Sequence, residues 1–181
     1  MPRIQPVDRK TAPAKTQQLL DSVEKKGGMV PNLFATFAQL PALTQAYLGS
    51  SQTLASGVIR AQLREQIALA VSQTNECDYC LAAHSAIGSS VGLSDDEVRD
   101  ARTATSPDRR TEVALQFARR IVERKGFVSD DDLQEMRSAR YTEEEIVEVV
   151  GNVALIIFTN YFNHVAETDV DFPAVAELVN S

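Results

Sequence analysis

Leu63-Arg64-Glu65-Gln66-Ile67-Ala68-Leu69-Ala70-Val71-Ser72-Gln73-Thr74-Asn75-Glu76-Cys77-Asp78-Tyr79-Cys80-Leu81-Ala82-Ala83-His84 is the stretch whose reading decides the fold. In its first half Leu63, Ile67, Ala70 and Val71 recur at helical spacing with Glu65 beside that apolar face, so Arg60 to Thr74 reads as one helix. From Cys77 to Val91 the residues Leu81, Ala82, Ala83, Ala86 and Ile87 favour a second, closely packed helix ended by Gly92. If the two helices form an antiparallel hairpin around Gln73 to Glu76, Glu65, twelve residues before Cys77, returns to the site of the cysteines and His84. There Cys77 and Cys80 stand three apart and Cys80 and His84 four apart, so all three lie on one helical stripe. They are both cysteines of the 181-residue chain and one of its two histidines.

The same stop and start signals recur outward from this hairpin. A first helix runs from about Pro13 to Lys26 and ends at Gly27-Gly28; a short one follows Pro31, with Phe34 and Phe37 on one side; Pro41 opens a third that carries Leu43, Tyr47 and Leu54 toward Gly57. Ser94-Asp95-Asp96-Glu97 is a capping box opening a short helix. Ser106-Pro107 caps a long helix to Lys125, with Val113, Leu115, Phe117, Ile121 and Val122 on its buried side, and another helix begins near Ser129. Thr142-Glu143-Glu144-Glu145 is a second capping box, whose helix continues to about His164, and Asp171-Phe172-Pro173 starts a final short turn of helix. No run alternates long enough to make a strand. The expectation is an all-α fold in one domain, residues 1–181, with a redox core at about residues 60–92. An echo at an offset of 80 residues, Glu65, Cys80 and His84 against Glu145, Asn160 and His164, reads either as a duplicated helical hairpin or as chance identity.

Composition bounds the function class. With 44% hydrophobic and 24% charged residues the chain is globular rather than disordered or fibrous. Eighteen Lys plus Arg against 25 Asp plus Glu give a net charge of -7, which repels nucleic-acid backbones and anionic membrane surfaces. The pairs Arg109-Arg110 and Arg119-Arg120 are interleaved with Glu112 and Glu123 and read as a solvated helix face. The apolar stretch Ile146 to Phe158 is 13 residues long and interrupted by Glu148 and Asn152, against the roughly 20 that a membrane span needs, and reads as a buried helix. Met1 to Lys10 holds no apolar signal core, which makes the cytoplasm the expected compartment. In a reducing cytosol a close cysteine pair serves redox or metal chemistry more often than stapling.

The nucleophile toward a peroxide or disulfide is the thiolate, and a free thiol with a pKa of about 8.5 is mostly protonated at neutral pH. His84, one turn beyond Cys80, can take the proton, and Glu65 can orient the imidazole. A sulfenic acid on one sulfur is captured by the other as a disulfide, which calls for an external reductant. Physics alone points both ways on which cysteine attacks: Cys77 lies nearer the helix N-terminus, whose dipole lowers a thiol pKa, and Cys80 lies nearer His84.

The segment Leu63 to Ser72 followed by Asn75 to His84 resembles the core of alkylhydroperoxidase D-like proteins of the carboxymuconolactone decarboxylase superfamily, most strongly over Arg60 to Gly92. The C-terminal run Asn160 to Phe172 resembles the peroxidase-related branch. The resemblance implies an all-helical oligomeric fold, as dimer, trimer or hexamer, and a thiol-dependent peroxidase needing no cofactor or metal. It assigns Glu65 as proton relay, Cys77 as resolving thiol, Cys80 as peroxidatic thiol and His84 as general base, with a redox-active Cys77–Cys80 disulfide. Its implied partners are a small organic hydroperoxide or hydrogen peroxide and an unknown dithiol reductant. This chain carries Tyr79 where the best-known peroxidases carry a further histidine, so Tyr79 is expected as pocket wall or hydrogen-bond donor. The decarboxylase branch lacks the cysteine pair, so that activity is not implied.

Rival readings share the same residues. Two sulfurs, His84 and Glu65 could be four zinc ligands, although structural zinc takes its Cys-x-x-Cys pair from a turn. A redox sensor or structural oligomer could use a Cys77–Cys80 disulfide without turnover. His164 reads as a core or interface histidine, and Phe34, Phe37, Phe158 and Phe162 read first as core, with a substrate-channel role open to each.

Overall fold

The computed structural model describes residues 1–175 and 178. Among these residues it holds nine helices and no strand: α1 (Ala14–Gly27), α2 (Asn32–Phe37), α3 (Pro41–Ala55), α4 (Ala61–Thr74), α5 (Asp78–Ser90), α6 (Asp95–Arg102), α7 (Arg109–Glu123), α8 (Asp130–Ser138) and α9 (Glu143–Ala166). The all-α expectation holds, with element limits close to those read from the stop signals. Residues 171–175 are not helical, so the turn of helix expected from Asp171 does not form there; the remainder of that expectation lies outside the described residues.

Helix α4 is the axis of the fold, packed against α5, α6, α7 and α9. Its centre has no solvent face: Ile67, Leu69 and Val71 are each 0% exposed. Each such side chain contributes about 1.5–3 kcal/mol relative to leaving it in water. Phe117, Leu115 and Val113 of α7 and Val149 and Val153 of α9 close the same core. By length and composition α9 could span a membrane, yet it packs on α3, α4, α5 and α7 as the core helix. The buried Glu148 of α9 accepts from the backbone N–H groups of Val58 (2.5 Å) and Ile59 (3.0 Å), fixing the loop that starts α4. Gly57 leaves room for that carboxylate, where any Cβ would collide with it.

Three expectations change. Asp108, not Ser106, caps α7: its carboxylate accepts from the Thr111 N–H (2.9 Å) and hydroxyl (2.6 Å), while Ser106 Oγ accepts from the Asp108 N–H and orders the approach. The echo at 80 residues is not a repeated hairpin, because Glu65 and Cys80 lie on two helices while Glu145 and Asn160 lie on α9 alone. Of the two readings of His164 only the core one falls: the ring is exposed, with its Nε2 3.3 Å from the Glu76 carbonyl. The basic pairs of α7 do meet carboxylates: Arg109 and Arg119 pair with Glu112 and Glu123 on α7 itself, and Arg110 and Arg120 reach Glu145 and Glu135.

Candidate active site

The turn between α4 and α5 sets the geometry. Glu76 has φ 57°, the Glu76 N–H donates to the Gln73 carbonyl (3.1 Å) and the Cys77 N–H to the Ser72 carbonyl (2.9 Å), the double closure of a Schellman motif. A non-glycine residue in this region costs of order 1–3 kcal/mol and persists where neighbours hold it. Here α9 does so: Asn160 Oδ1 accepts from Asn75 Nδ2 (2.8 Å), and His164 reaches the Glu76 carbonyl.

Cys77 is therefore not inside the second helix as the stripe implied. It is the N-cap of α5, with φ -96° and ψ 92°, and its sulfur accepts from the Cys80 N–H at 3.4 Å. Both thiols are reduced and buried, within a second apolar cluster with Leu33, Phe37 and Tyr79. Phe34, Tyr47, Phe162 and Phe172 pack around it, and Phe37 meets Phe162 edge-on with centroids 4.5 Å apart. The cysteines thus lie where α2 and α3 cover the end of the α4, α5 and α9 layer.

Glu65 and His84 come together across the hairpin, Oε2 to Nδ1 at 2.8 Å, with side chains 17% and 14% exposed. Burial disfavours the imidazolium, but the charge and hydrogen bond of Glu65, with the Cys80 charge, outweigh it and raise the His84 pKa. The Cys80 thiol is pulled down to about 6, first by the hydrogen bond Cys77 donates to it, then, against burial, by the charge of His84 and the amides of Asn160 and Asn163. Cys77 is driven far upward by that same donated bond, by burial and by the neighbouring Cys80 charge. The two directions oppose each other, favouring Cys80 as the thiolate and Cys77 as the thiol. The helix N-terminus also reaches Cys77, whose sulfur accepts the Cys80 N–H.

Helix α9 supplies polar groups to the sulfur that the Cys-His stripe did not reveal. Asn163 Nδ2 donates to Cys80 Sγ at 3.2 Å, and Thr159 Oγ1 lies 3.9 Å from the sulfur while donating to the Ile156 carbonyl. Tyr47 of α3 is a further addition: burial raises its hydroxyl pKa, and the charges of Cys80 and Glu65 raise it more. Among the described residues, no direct hydrogen bond joins His84 to either sulfur, so the imidazole acts on Cys80 through its charge.

Tyr79 has another task. Its hydroxyl accepts the Leu33 N–H at 3.1 Å, satisfying the start of α2, and its ring meets Phe172 edge-on at 5.8 Å. Tyr79→Phe is expected to lower the unfolding free energy by about 1–3 kcal/mol, by orphaning a buried N–H. Alkylation of Cys80 by iodoacetamide should stay within about twofold of wild type; a large loss there would place Tyr79 in the proton relay. Among the described residues no group of three or more His, Cys, Asp or Glu is placed to hold a metal ion, and Glu65 lies against His84.

Residues 39–124 match the sequence profile of the Carboxymuconolactone decarboxylase family. No curated protein matches the chain. Among solved structures, it is similar to an uncharacterized peroxidase-related protein with an alkylhydroperoxidase AhpD core from Ralstonia eutropha JMP134 (TM-score 0.85, 23% identity, 94% of this chain and 92% of that one). A peroxidase-related protein from Silicibacter sp. TM1040 is similar at TM-score 0.81 and 23% identity, covering 92% of each chain. The debrominase Bmp8 is similar at TM-score 0.80 and 23% identity, over 93% of this chain and 92% of that one. At these identities the structural likeness establishes the fold.

Proposed function

We propose, from the premise that this chain is an AhpD-like member of the carboxymuconolactone decarboxylase superfamily, that it is a thiol-dependent peroxidase reducing hydroperoxides through a Cys77–Cys80 dithiol cycle. What supports this is the geometry around Cys80, whose sulfur takes the Asn163 amide at 3.2 Å beside Cys77 and the 2.8 Å Glu65–His84 pair, an arrangement that pulls the Cys80 thiol down to about 6. The Cys80 thiolate attacks the terminal oxygen of R–O–O–H; the O–O bond breaks, and the alkoxide takes the proton of the His84 imidazolium to leave as R–OH. The Cys80 sulfenic acid is then attacked by the Cys77 sulfur, releasing water and forming the disulfide, which an external thiol or dithiol reductant returns to two thiols. No cofactor or metal enters the cycle. The exposed Val147, Val150, Phe158, Tyr161 and Val165 of α9 support a homo-oligomer.

The direct test is the thiol count and mass of the reduced protein before and after one equivalent of cumene hydroperoxide. Loss of two thiols with stoichiometric cumyl alcohol is expected. Thiols that oxidise without turnover in the presence of any dithiol reductant would favour the redox-sensor reading. A second reading, reductive debromination of an aromatic ring by the same dithiol, is favoured by the aromatic side chains packed around Cys80 and by the fold shared with Bmp8. Bromide release from a bromopyrrole, with hydroperoxides inert, would establish it instead.

A further inference from the structure

Helix α9 passes Cys80 with one side chain that the cycle above leaves half used. Asn163 is 5% exposed, and its Nδ2 donates to Cys80 Sγ at 3.2 Å. Its Oδ1, on the same planar amide, is buried and accepts no hydrogen bond. A buried acceptor without a donor costs about 1–3 kcal/mol, and folded proteins rarely leave one so. With Cys80 as the thiolate, turning the amide over would face oxygen toward a charged sulfur and take away one of its donors. The orphaned oxygen thus marks a place beside Cys80 Sγ for a ligand that brings its own O–H or N–H.

We propose that Asn163 is the substrate-orienting residue of this site, its Oδ1 accepting the O–H of a hydroperoxide while its Nδ2 holds the attacking sulfur. The proposal rests on the peroxidase reading and deepens it. In R–O–O–H the hydrogen sits on the terminal oxygen, the atom that the Cys80 sulfur attacks. As the S–O bond forms and the O–O bond breaks, that hydrogen stays on the same oxygen and becomes the O–H of the sulfenic acid, so one acceptor serves substrate, transition state and product. The pair of electrons in the broken bond leaves with the alkoxide, whose proton comes from His84. The substrate class follows: hydroperoxides and hydrogen peroxide carry the needed O–H, whereas dialkyl peroxides R–O–O–R′ do not and are expected to be inert.

The test compares two reagents on the same sulfur at a pH above the Cys80 titration: cumene hydroperoxide, which has the O–H, and iodoacetamide, which reports only the thiolate. Wild type is expected to react with both. In Asn163→Leu, which removes donor and acceptor, the hydroperoxide rate is expected to fall roughly twofold to tenfold further than the iodoacetamide rate, the scale of one neutral hydrogen bond. Asn163→Asp keeps an acceptor and loses the N–H, so its ratio of the two rates should stay near wild type although both rates start at a higher pH. Should Asn163→Leu not fold, Asn163→Ala carries the same comparison. Equal losses with both reagents, or a ratio that falls as far in Asn163→Asp as in Asn163→Leu, overturn the proposal and leave Asn163 as a support of the thiolate alone. If wild type alkylates readily and consumes no hydroperoxide, the peroxidase reading itself has failed, an outcome distinct from an unchanged ratio in the variants.

Discussion

Cys80→Ser is expected to abolish hydroperoxide consumption, with the rate constant of the first oxidation lowered by on the order of 10⁴ or more, the scale on which loss of a nucleophile acts. Cys77→Ser keeps a hydroxyl that can still donate to the Cys80 sulfur, so it should undergo the first oxidation at close to the wild-type rate and stop there. Its sulfenic acid should be trapped by dimedone, with one thiol lost per peroxide and no second equivalent consumed. Cys77→Ala removes the donated hydrogen bond that is the largest influence lowering Cys80, so its thiol should titrate above about 6 and react more slowly at neutral pH. Quenched-flow oxidation with mass detection distinguishes these. A Cys77→Ser protein that fails the first step, beside a Cys80→Ser protein that forms a sulfenic acid, would reverse the two roles.

Much of this arrangement was legible because local signals and chemistry coincided. The α4–α5 hairpin announced itself through the apolar spacing of Leu63, Ile67 and Val71, and the boxes at Ser94 and Thr142 fixed two helix starts to the residue. Glu65 and His84 could be paired because an antiparallel hairpin leaves few other places for them. What escaped depended on tertiary context. Cys77 stands at the N-cap of α5 rather than as its first residue because the Schellman turn at Glu76 consumes the residues before it, and a non-glycine left-handed residue gives no sequence signal. Asn160 and Asn163 did leave one: two amides three residues apart in an apolar helix are expensive unless something pairs with them. That marks both as purposeful without saying that Asn163 faces Cys80, which depends on how α9 crosses α5. Tyr47 had no such mark, since an aromatic on an amphipathic helix is first a core residue. Tyr79 reads in the sequence as pocket wall or hydrogen-bond donor, but its hydroxyl accepts from a backbone N–H 46 residues away, a pairing that no local pattern encodes.

The pH dependence separates the two services of the Glu65–His84 pair. In wild type the rate with hydroperoxide should rise with pH through about 6, as Cys80 loses its proton, hold while His84 keeps its proton and fall once the imidazolium titrates, whereas the iodoacetamide rate should rise and level off. The sign follows from the charged form being the nucleophile: below that range the thiol is neutral and inert, above it the thiolate fraction is complete. Glu65→Gln removes the carboxylate that raises His84, so the imidazole loses its charge at lower pH and Cys80 loses a cation that stabilised it. The rising limb should therefore move to higher pH, with the largest loss near pH 6 and convergence toward wild type at alkaline pH for iodoacetamide. Hydroperoxide should not converge to the same degree, because the departing alkoxide needs a proton that a neutral, unoriented imidazole supplies poorly. His84→Ala carries this furthest: a lowered plateau of about 10²-fold or more with hydroperoxide, the usual scale for general acid–base groups, beside a nearly intact alkaline plateau with iodoacetamide. Superimposable profiles for wild type, Glu65→Gln and His84→Ala with both reagents would show that the 2.8 Å pair serves packing alone and that Cys77 and the α9 amides suffice to hold the Cys80 charge.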